Sequence, residues 1–305
     1  MNISNLSNTY SYKTKINSYN TYYSSCVSFC STKENKEDSF EKFKKWAIET
    51  NFLSSVKQII SNPANIMGSG FEGKVYEIPN SEDWVIKEYF RANIIPKVNG
   101  ESQIERVKDI SPNLNIGQTI AKVNLPINDS YTETIFIHKK QTGKPIGVNS
   151  ILMKSINDGT VKTHLESLKA IAALPTETFN KLIDDIGTVS RLGYKIDGTT
   201  PNNILLDSEK QRLNFVDIAD IDSDKNNQYS EVLYSLLGAS FCERFFESDR
   251  PIDEKMQARQ FSDVIMKKFM TAMKEKNAQF SPTYNFYSLV NSTPFREFSK
   301  KSNIQ

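Results

Sequence analysis

The spacing of apolar and polar positions separates a strand-rich first half of the chain from a helix-rich second half. Short runs of β-type residues predict strands, whereas apolar residues three and four positions apart predict helices. The predicted strands are Asn65–Ser69, Lys74–Ile78, Trp84–Tyr89, Gly117–Val123 and Thr132–Lys139. The predicted helices are Asp38–Ile60, Glu101–Ile110, Val161–Ala173, Thr176–Leu192, Gln228–Glu247 and Asp253–Lys276. We therefore expect an α+β fold.

The N-terminal segment has a different composition from the rest of the chain. Seventeen of its first 32 residues are Ser, Asn or Thr, and no acidic residue precedes Glu34. Such a segment cannot bury enough apolar surface to become ordered. We expect residues 1–37 to form a disordered leader, in which Cys26 and Cys30 are bystanders.

Composition excludes several classes of function. The 305 residues carry a net charge of only +2 that is spread along the chain, so we expect no nucleic-acid partner. Three cysteines cannot form a disulfide framework and are typical of a reducing compartment. Two distant histidines, His138 and His164, do not suggest a histidine-rich metal site. No apolar run approaches the length of a membrane span. We also expect the chain to be a monomer.

A glycine-rich segment lies between two of the predicted strands. Residues 68–75 read Gly-Ser-Gly-Phe-Glu-Gly-Lys-Val, and Lys87 lies on the next strand. This is the pattern with which kinases cover ATP phosphates, because glycines let backbone N–H groups approach and a strand lysine contacts the α/β-phosphates. A dinucleotide-binding loop would continue into a helix, whereas these glycines continue into a strand. The residues predicted to bind the nucleotide here are Gly68, Ser69, Gly70, Gly73, Val75 and Lys87.

A second set of polar residues lies about 115 positions further along. Asn203 precedes a predicted β-hairpin, and Asp217 follows it, so their oxygen atoms are expected at one edge of the hairpin. Amide and carboxylate oxygens suit Mg²⁺. Taken singly, Asp217 could be an ordinary acid at a strand end and Asn203 a turn residue beside Pro201. Asp207 and Asp220 are expected in turns outside the site.

The expected catalytic base is Asp197, the carboxylate that precedes Asn203 in this loop. In the usual kinase motif the base lies five residues before the metal-binding Asn. Asp197 lies six residues before Asn203, and Gly198 occupies the usual position. Lys195-Ile196 replace the usual His-Arg, and Ala219 replaces the last glycine of Asp-Phe-Gly.

In this order and spacing, the motifs resemble the minimal effector kinases of bacterial type III secretion systems. These include the OspG and NleH proteins and the Hop-class kinase that phosphorylates a host chaperone. The resemblance covers about residues 60–250 and rests on the glycines at 68, 70 and 73 with Lys87, Asn203 and Asp217. It implies a bilobal protein-kinase-like fold that lacks a full activation segment, and it implies ATP and Mg²⁺ as cofactors.

The resemblance also implies further site residues. Glu101, or alternatively Glu105, would pair with Lys87. His138, Lys139 and Lys140 would face adenine through backbone groups, and Leu205 would also bind the nucleotide. Residues 143–146, Gly-Lys-Pro-Ile, resemble the turn that follows the adenine-facing segment.

The expected organisation is a leader at 1–37 and a kinase-like domain at 38–300, with lobes at about 60–142 and about 143–300. The resemblance implies secretion into a host cell and phosphorylation of Ser/Thr in a host protein, such as a chaperone or a ubiquitin-pathway protein. Two alternatives stay open. One is a weakly active kinase fold that sequesters a host complex, and the other is a kinase-fold enzyme that transfers AMP or phosphorylates a small molecule.

Overall fold

The computed structural model divides the chain into two compact units. The first contains residues 1–108 and 117–140, and the second contains residues 109–116 and 141–305. The described residues are 27–28, 39–70, 73–90, 115–116, 119–128, 131–146, 158–191, 193–196, 203–216, 218–220, 227–238 and 244–291. The predicted helix at Glu101–Ile110 lies outside them.

The strands confirm the predicted strand-rich first half. They are β1 (Val27–Ser28), β2 (Ile66–Ser69), β3 (Gly73–Glu77), β4 (Trp84–Tyr89), β5 (Asn115–Ile116), β6 (Thr119–Asn128), β7 (Tyr131–Lys139), β8 (Lys144–Pro145), β9 (Tyr194–Ile196), β10 (Ile204–Asp207), β11 (Arg212–Phe215) and β12 (Ile218–Asp220). Six of them form the sheet of the first unit in the order β1-β6-β7-β4-β3-β2, and every neighbouring pair is antiparallel.

Alternation along the strands gives the first sheet two different faces. One face carries the apolar side chains of Tyr76, Ile86 and Ile137, which are at most 2% exposed. These side chains join a core to which two helices contribute aromatic rings, α1 (Ser39–Glu49) and α2 (Phe52–Ser61). The opposite face carries Lys87, and the core therefore fixes which face that lysine occupies.

The prediction of a single helix over Asp38–Ile60 is wrong, because the chain turns between α1 and α2. Asn51 adopts a left-handed conformation with φ 50° and ψ 37°. Asparagine tolerates this region better than most residues. The turn lets the rings of Trp46 and Phe52 meet at 5.2 Å between centroids.

Two residues of the predicted disordered leader have a described position. Val27 pairs with Val123 and Ser28 pairs with Lys122, so β1 lies antiparallel to β6. An edge strand presents unpaired N–H and C=O groups that another segment can satisfy. The expectation of a wholly disordered leader does not hold at these two residues.

The second unit combines helices with two small sheets. Its helices are α3 (Asp158–Ala173), α4 (Thr176–Arg191), α5 (Gln228–Leu236), α6 (Ile252–Glu275) and α7 (Tyr284–Asn291). Helices α3 and α4 both pack against α6, and α4 also packs against β9. One sheet has the order β5-β11-β10-β8, and the other pairs β12 with β9. None of the helices in the described part of the chain combines the length and apolar character of a membrane span.

Candidate functional site

The glycine-rich segment forms a hairpin between β2 and β3. Ser69 pairs with Lys74, and the Gly70 N–H donates to the Gly73 carbonyl at 2.9 Å. Gly68, Ser69 and Gly70 are exposed, and a Cβ added at Gly68 or Gly70 would meet no atom within 4 Å. These glycines therefore leave open space beside the backbone, as a phosphate-covering loop requires.

Gly73 has a different role from the first two glycines. A Cβ at this position would lie 2.0 Å from the Glu88 carbonyl oxygen and 3.1 Å from the Cα of Tyr89. Gly73 is therefore needed for the close pairing of β3 with β4. Since β4 carries Lys87, this contact sets the position of the lysine relative to the hairpin.

Replacing Gly73 with alanine is expected to destabilise the first unit by about 1–3 kcal/mol, the usual cost of overpacking. The strands must separate because the clash is with backbone. Thermal unfolding measures this effect. Gly68→Ala is the matched control, and it should leave the melting temperature nearly unchanged, because a Cβ there meets no atom within 4 Å. A Gly73→Ala protein as stable as the wild type would contradict the close contact.

Lys87 occupies the centre of the first sheet. It pairs with Val75 on β3 and with Phe136 on β7. Its ammonium lies 4.8 Å from the centroid of the Tyr89 ring, close enough for a cation–π interaction. The Tyr89 ring in turn packs edge-on against Phe136 with centroids 5.4 Å apart. These aromatic neighbours hold the stem of Lys87 and restrict where its charge can lie.

His138 lies in β7 and is buried, with 8% of its surface exposed. Burial, with a smaller contribution from the Lys87 charge, lowers the pKa of His138 to about 3. The imidazole is therefore neutral at pH 7 and adds no positive charge next to Lys87. The sequence predicted a role for His138 only through its backbone and did not indicate that its ring is buried and neutral.

The backbone of the predicted adenine-facing segment already has partners inside the first unit. His138 pairs with Val85, and Lys139 pairs with Trp84. The Lys140 N–H donates to the Asp83 carbonyl at 2.7 Å, and its ammonium contacts Glu77 at 2.8 Å. The Lys140 N–H is therefore occupied by the sheet, which leaves the role of this segment in adenine recognition as a prediction.

Stability is expected to fall in mild acid because two buried histidines stay neutral in the folded state. Burial lowers the pKa of His164 to about 3, as it does for His138. Their stabilising effect is complete above the unfolded pKa of about 6.5 and is lost progressively as the pH falls toward 3. At pH 5.5 each should cost about 1.4 kcal/mol. Denaturant unfolding at pH 7.5 and 5.5 measures the loss.

The matched control for this acid effect is a double variant, His138→Asn with His164→Asn. It should show a much smaller difference between the two pH values than the wild type. Equal stability of the wild type at pH 7.5 and 5.5 would contradict the neutral buried state of both rings.

The second unit holds the other predicted residues around the hairpin of β10 and β11. Asn203 lies immediately before β10, and its carbonyl accepts from the Val216 N–H at 3.0 Å. Leu205 pairs with Asn214 on one side and with Pro145 on the other, and its side chain is half-buried. The hairpin thus presents Asn203 at its open end, as the sequence predicted.

A second pairing joins the chain neighbours of the predicted acids. Ile196 on β9 pairs with Ile218 on β12. Asp197 directly follows Ile196, and Asp217 stands between Val216 and Ile218. Backbone hydrogen bonds therefore join Asn203 to Val216, which precedes Asp217, and pair Ile218, which follows Asp217, with Ile196, which precedes Asp197. Asp197, Asp217 and Glu101 themselves lie outside the described residues.

The donor chemistry suits a hard cation. Asn203 offers an amide oxygen and Asp217 a carboxylate, which are ligand types that Mg²⁺ accepts when phosphates complete the coordination. Among the described residues, no group of three or more His, Cys, Asp or Glu could hold a metal ion by itself. A nucleotide-borne Mg²⁺ is compatible with this arrangement, because such an ion needs only one or two protein ligands.

Neither Asp207 nor Asp220 lies in a turn, so that expectation is wrong. Asp220 is the last residue of β12, and Asp207 is the last residue of β10. It is 7% exposed, and its carboxylate accepts from the Thr142 hydroxyl at 2.5 Å and from the Lys210 N–H at 3.0 Å. Burial opposes its charge, but these hydrogen bonds and the charges of Lys210 and Arg212 outweigh it, so the pKa of Asp207 lies below its usual value. No sequence signal links Thr142 to a residue 65 positions away.

Comparisons with known proteins leave the family open. No protein-family model and no curated protein matches the chain. Among solved structures it is similar to a GDP and kanamycin complex of APH(2")-IIia, at 13% identity and a TM-score of 0.32, covering 75% of this chain and 99% of the other. It is also similar to a ROP18 kinase domain bound to AMP-PNP and sucrose, at 13% identity and a TM-score of 0.38, covering 79% and 82%.

A third similar structure is WbdD with the kinase inhibitor LY294002, at 12% identity and a TM-score of 0.34, covering 75% of this chain and half of the other. Every TM-score is below 0.5, so these similarities assign no activity or ligand. The α+β prediction is confirmed by the helices and by the antiparallel strand pairing of the chain itself.

Proposed function

We propose that this chain is an ATP-dependent phosphotransferase, and specifically a Ser/Thr protein kinase. The observation that carries the proposal is the backbone pairing around Asp217. Val216 is hydrogen-bonded to Asn203, and Ile218 pairs with Ile196, the residue before Asp197. These backbone bonds link Asn203 to the chain neighbours of Asp197 and Asp217, and this supports a proposal that the three polar residues act together in phosphoryl transfer.

The first unit supplies the groups suited to phosphates. Open space beside Gly68 and Gly70 allows backbone N–H groups to approach an anion. Lys87 pairs with Val75 and Phe136 through its backbone, and its ammonium would contact the α/β-phosphates.

In the second unit, each polar residue has one proposed role. Asn203 and Asp217 would hold Mg²⁺, which neutralises charge on the phosphates when bound. Asp197 would accept a hydrogen bond from the acceptor hydroxyl and orient its oxygen toward the γ-phosphate. Leu205, half-buried in β10, would contact the adenine base of the nucleotide.

Nucleotide binding tests this proposal before any acceptor is known. Titration calorimetry of the full chain with ATP should show binding that strengthens when Mg²⁺ is added. Asp217→Asn should lose most of the Mg²⁺ dependence, because the carboxylate is the charged ligand. A wild-type chain that binds neither ATP nor ATP·Mg²⁺ would overturn the proposal.

We further propose that the kinase acts on a host protein after type III secretion, with residues 2–32 as the leader. This rests on the Ser/Asn/Thr-rich, acid-free composition of that segment. Selection of a particular acceptor would depend on the shape of the kinase surface rather than on a sequence motif. The resemblance suggests a chaperone or a ubiquitin-pathway protein as the acceptor.

Deleting residues 2–32 is expected to abolish delivery through a type III apparatus while leaving ATP binding within about twofold, since a polar terminal segment contributes few folded contacts. The β1 pairing with β6 is removed by this deletion, so a small fall in melting temperature is expected. A translocation assay with a reporter fusion measures delivery. Continued delivery of the truncated protein would contradict the leader assignment.

A further inference from the structure

Three side chains of the second unit form a polar clamp, defined here as Thr142, Asp207 and Asn214. The Thr142 hydroxyl donates to the Asp207 carboxylate at 2.5 Å. The Asn214 amide donates to the Thr142 carbonyl, also at 2.5 Å. Thr142 is thus held at both its side chain and its backbone by residues 65 and 72 positions further along the chain.

Two of the three clamp residues are buried. Asn214 is fully buried and Asp207 nearly so, whereas Thr142 itself is exposed. Asp207 is kept charged by the Lys210 N–H at 3.0 Å and by the Arg212 guanidinium, whose Nε lies 3.8 Å from its carboxylate. A hydrogen bond to an ionised acceptor is stronger than one between neutral groups. The exposed residue is therefore the one being positioned, and the buried pair is the anchor.

The segment after Thr142 is fitted closely to the same hairpin. Gly143 has φ +112°, and a Cβ there would lie 2.7 Å from the Leu206 carbonyl. Lys144 and Pro145 then pair with β10, and the Ile146 N–H donates to the Ile204 carbonyl at 3.0 Å. Only a glycine allows this approach, so the clamp and Gly143 together set the register of residues 142–146 on β10.

We propose that Thr142, Asp207 and Asn214 are positioning residues for nucleotide binding. They fix residues 142–146 against β10, and so set the position of Leu205 and of the neighbouring Asn203. This inference rests on the proposed function, in which Leu205 contacts the adenine base and Asn203 binds Mg²⁺. None of the three clamp residues is assigned a contact with the reacting atoms.

The test uses steady-state kinetics of the full chain with ATP·Mg²⁺, together with thermal unfolding. Thr142→Val removes the hydroxyl at nearly constant volume from an exposed residue that has no core to disturb. Asp207→Asn removes the charge of the anchor. Thr142→Ser keeps the hydroxyl and serves as the rescue. Glu209→Gln, an exposed carboxylate in the same hairpin turn, is the matched control.

Thr142→Val and Asp207→Asn are each expected to raise KM for ATP about tenfold, which corresponds to about 1.4 kcal/mol. The kcat at saturating ATP should stay within about twofold, because no chemical group is lost. The double variant should resemble Thr142→Val, since one change removes and the other weakens the same contact. Thr142→Ser and Glu209→Gln should match the wild type.

A fall in melting temperature with an unchanged KM for ATP would overturn the positioning role and leave the clamp purely structural. A loss of kcat at an unchanged KM would overturn it too. Failure of the proposed function gives a different result, because the wild-type chain itself would then bind no ATP. If Asp207→Asn does not fold, the Thr142→Val and Thr142→Ser pair decides the outcome.

Discussion

Replacing Lys87 with alanine is expected to lower kcat/KM for ATP-dependent phosphotransfer by about two to three decades. Removing one preorganised electrostatic group from an active site has an effect of this size, about 3–4 kcal/mol. The fold should persist, because Lys87 is half-buried on the face of the sheet opposite the apolar core. Steady-state kinetics and a melting curve on the same preparation measure both quantities.

Lys74→Ala is the matched control for Lys87→Ala. Lys74 lies on the adjacent strand, next in sequence to Val75, and therefore points to the other face of the sheet. Its ammonium lies 5.6 Å from the centroid of the Phe90 ring. We expect its removal to change kcat/KM by less than about threefold, in line with a cation–π contact to an exposed ring. Equal losses in the two variants would contradict a specific role for Lys87.

The second large effect is expected at Asp197. Asp197→Asn should abolish phosphorylation of a protein acceptor while leaving ATP affinity within a few-fold. The reason is that a residue orienting the acceptor hydroxyl contacts the acceptor rather than the nucleotide. A radiometric transfer assay and calorimetry of ATP binding separate these two quantities. Glu209→Gln again provides an exposed carboxylate control.

Full phosphotransfer by Asp197→Asn would mean that the six-residue spacing to Asn203 does not support the base role. The base would then lie elsewhere, or the acceptor would react without one. A loss of ATP binding in this variant would point instead to a role at the nucleotide. Either result would require a different mechanism even if Lys87 behaved as expected.

Strand positions were predictable from the sequence where short runs were rich in β-branched and aromatic residues. The strand Trp84–Tyr89 is such a run, and it was predicted with its observed bounds. The hairpin of β10 and β11 was also predictable, since the polar residues Asp207–Lys210 separate two apolar runs. These are local patterns, and they predict the strand that carries Lys87 and the strand that follows Asn203.

Features that depend on a single backbone angle or a distant contact were not predictable. Apolar spacing continues through Asn51, so nothing in the periodicity indicates that its φ of 50° separates two helices. Aspartate is a common turn residue, so the sequence at Asp207 suggests a turn. Only the fold brings Thr142 to its carboxylate. His138 illustrates the same limit, because its burial and lowered pKa depend on packing around the whole sheet.

The measurement that tests the central claim most directly is intact-mass analysis of the full chain and a Ser/Thr-rich acceptor protein after incubation with ATP and Mg²⁺. The account predicts a gain of the mass of phosphoryl groups by the acceptor, with no such gain for Lys87→Ala or Asp217→Asn. A gain of the mass of an adenylate would instead show AMP transfer. No gain on the acceptor or the chain, in a wild-type protein that binds ATP, would favour a binding module and contradict phosphotransfer to protein.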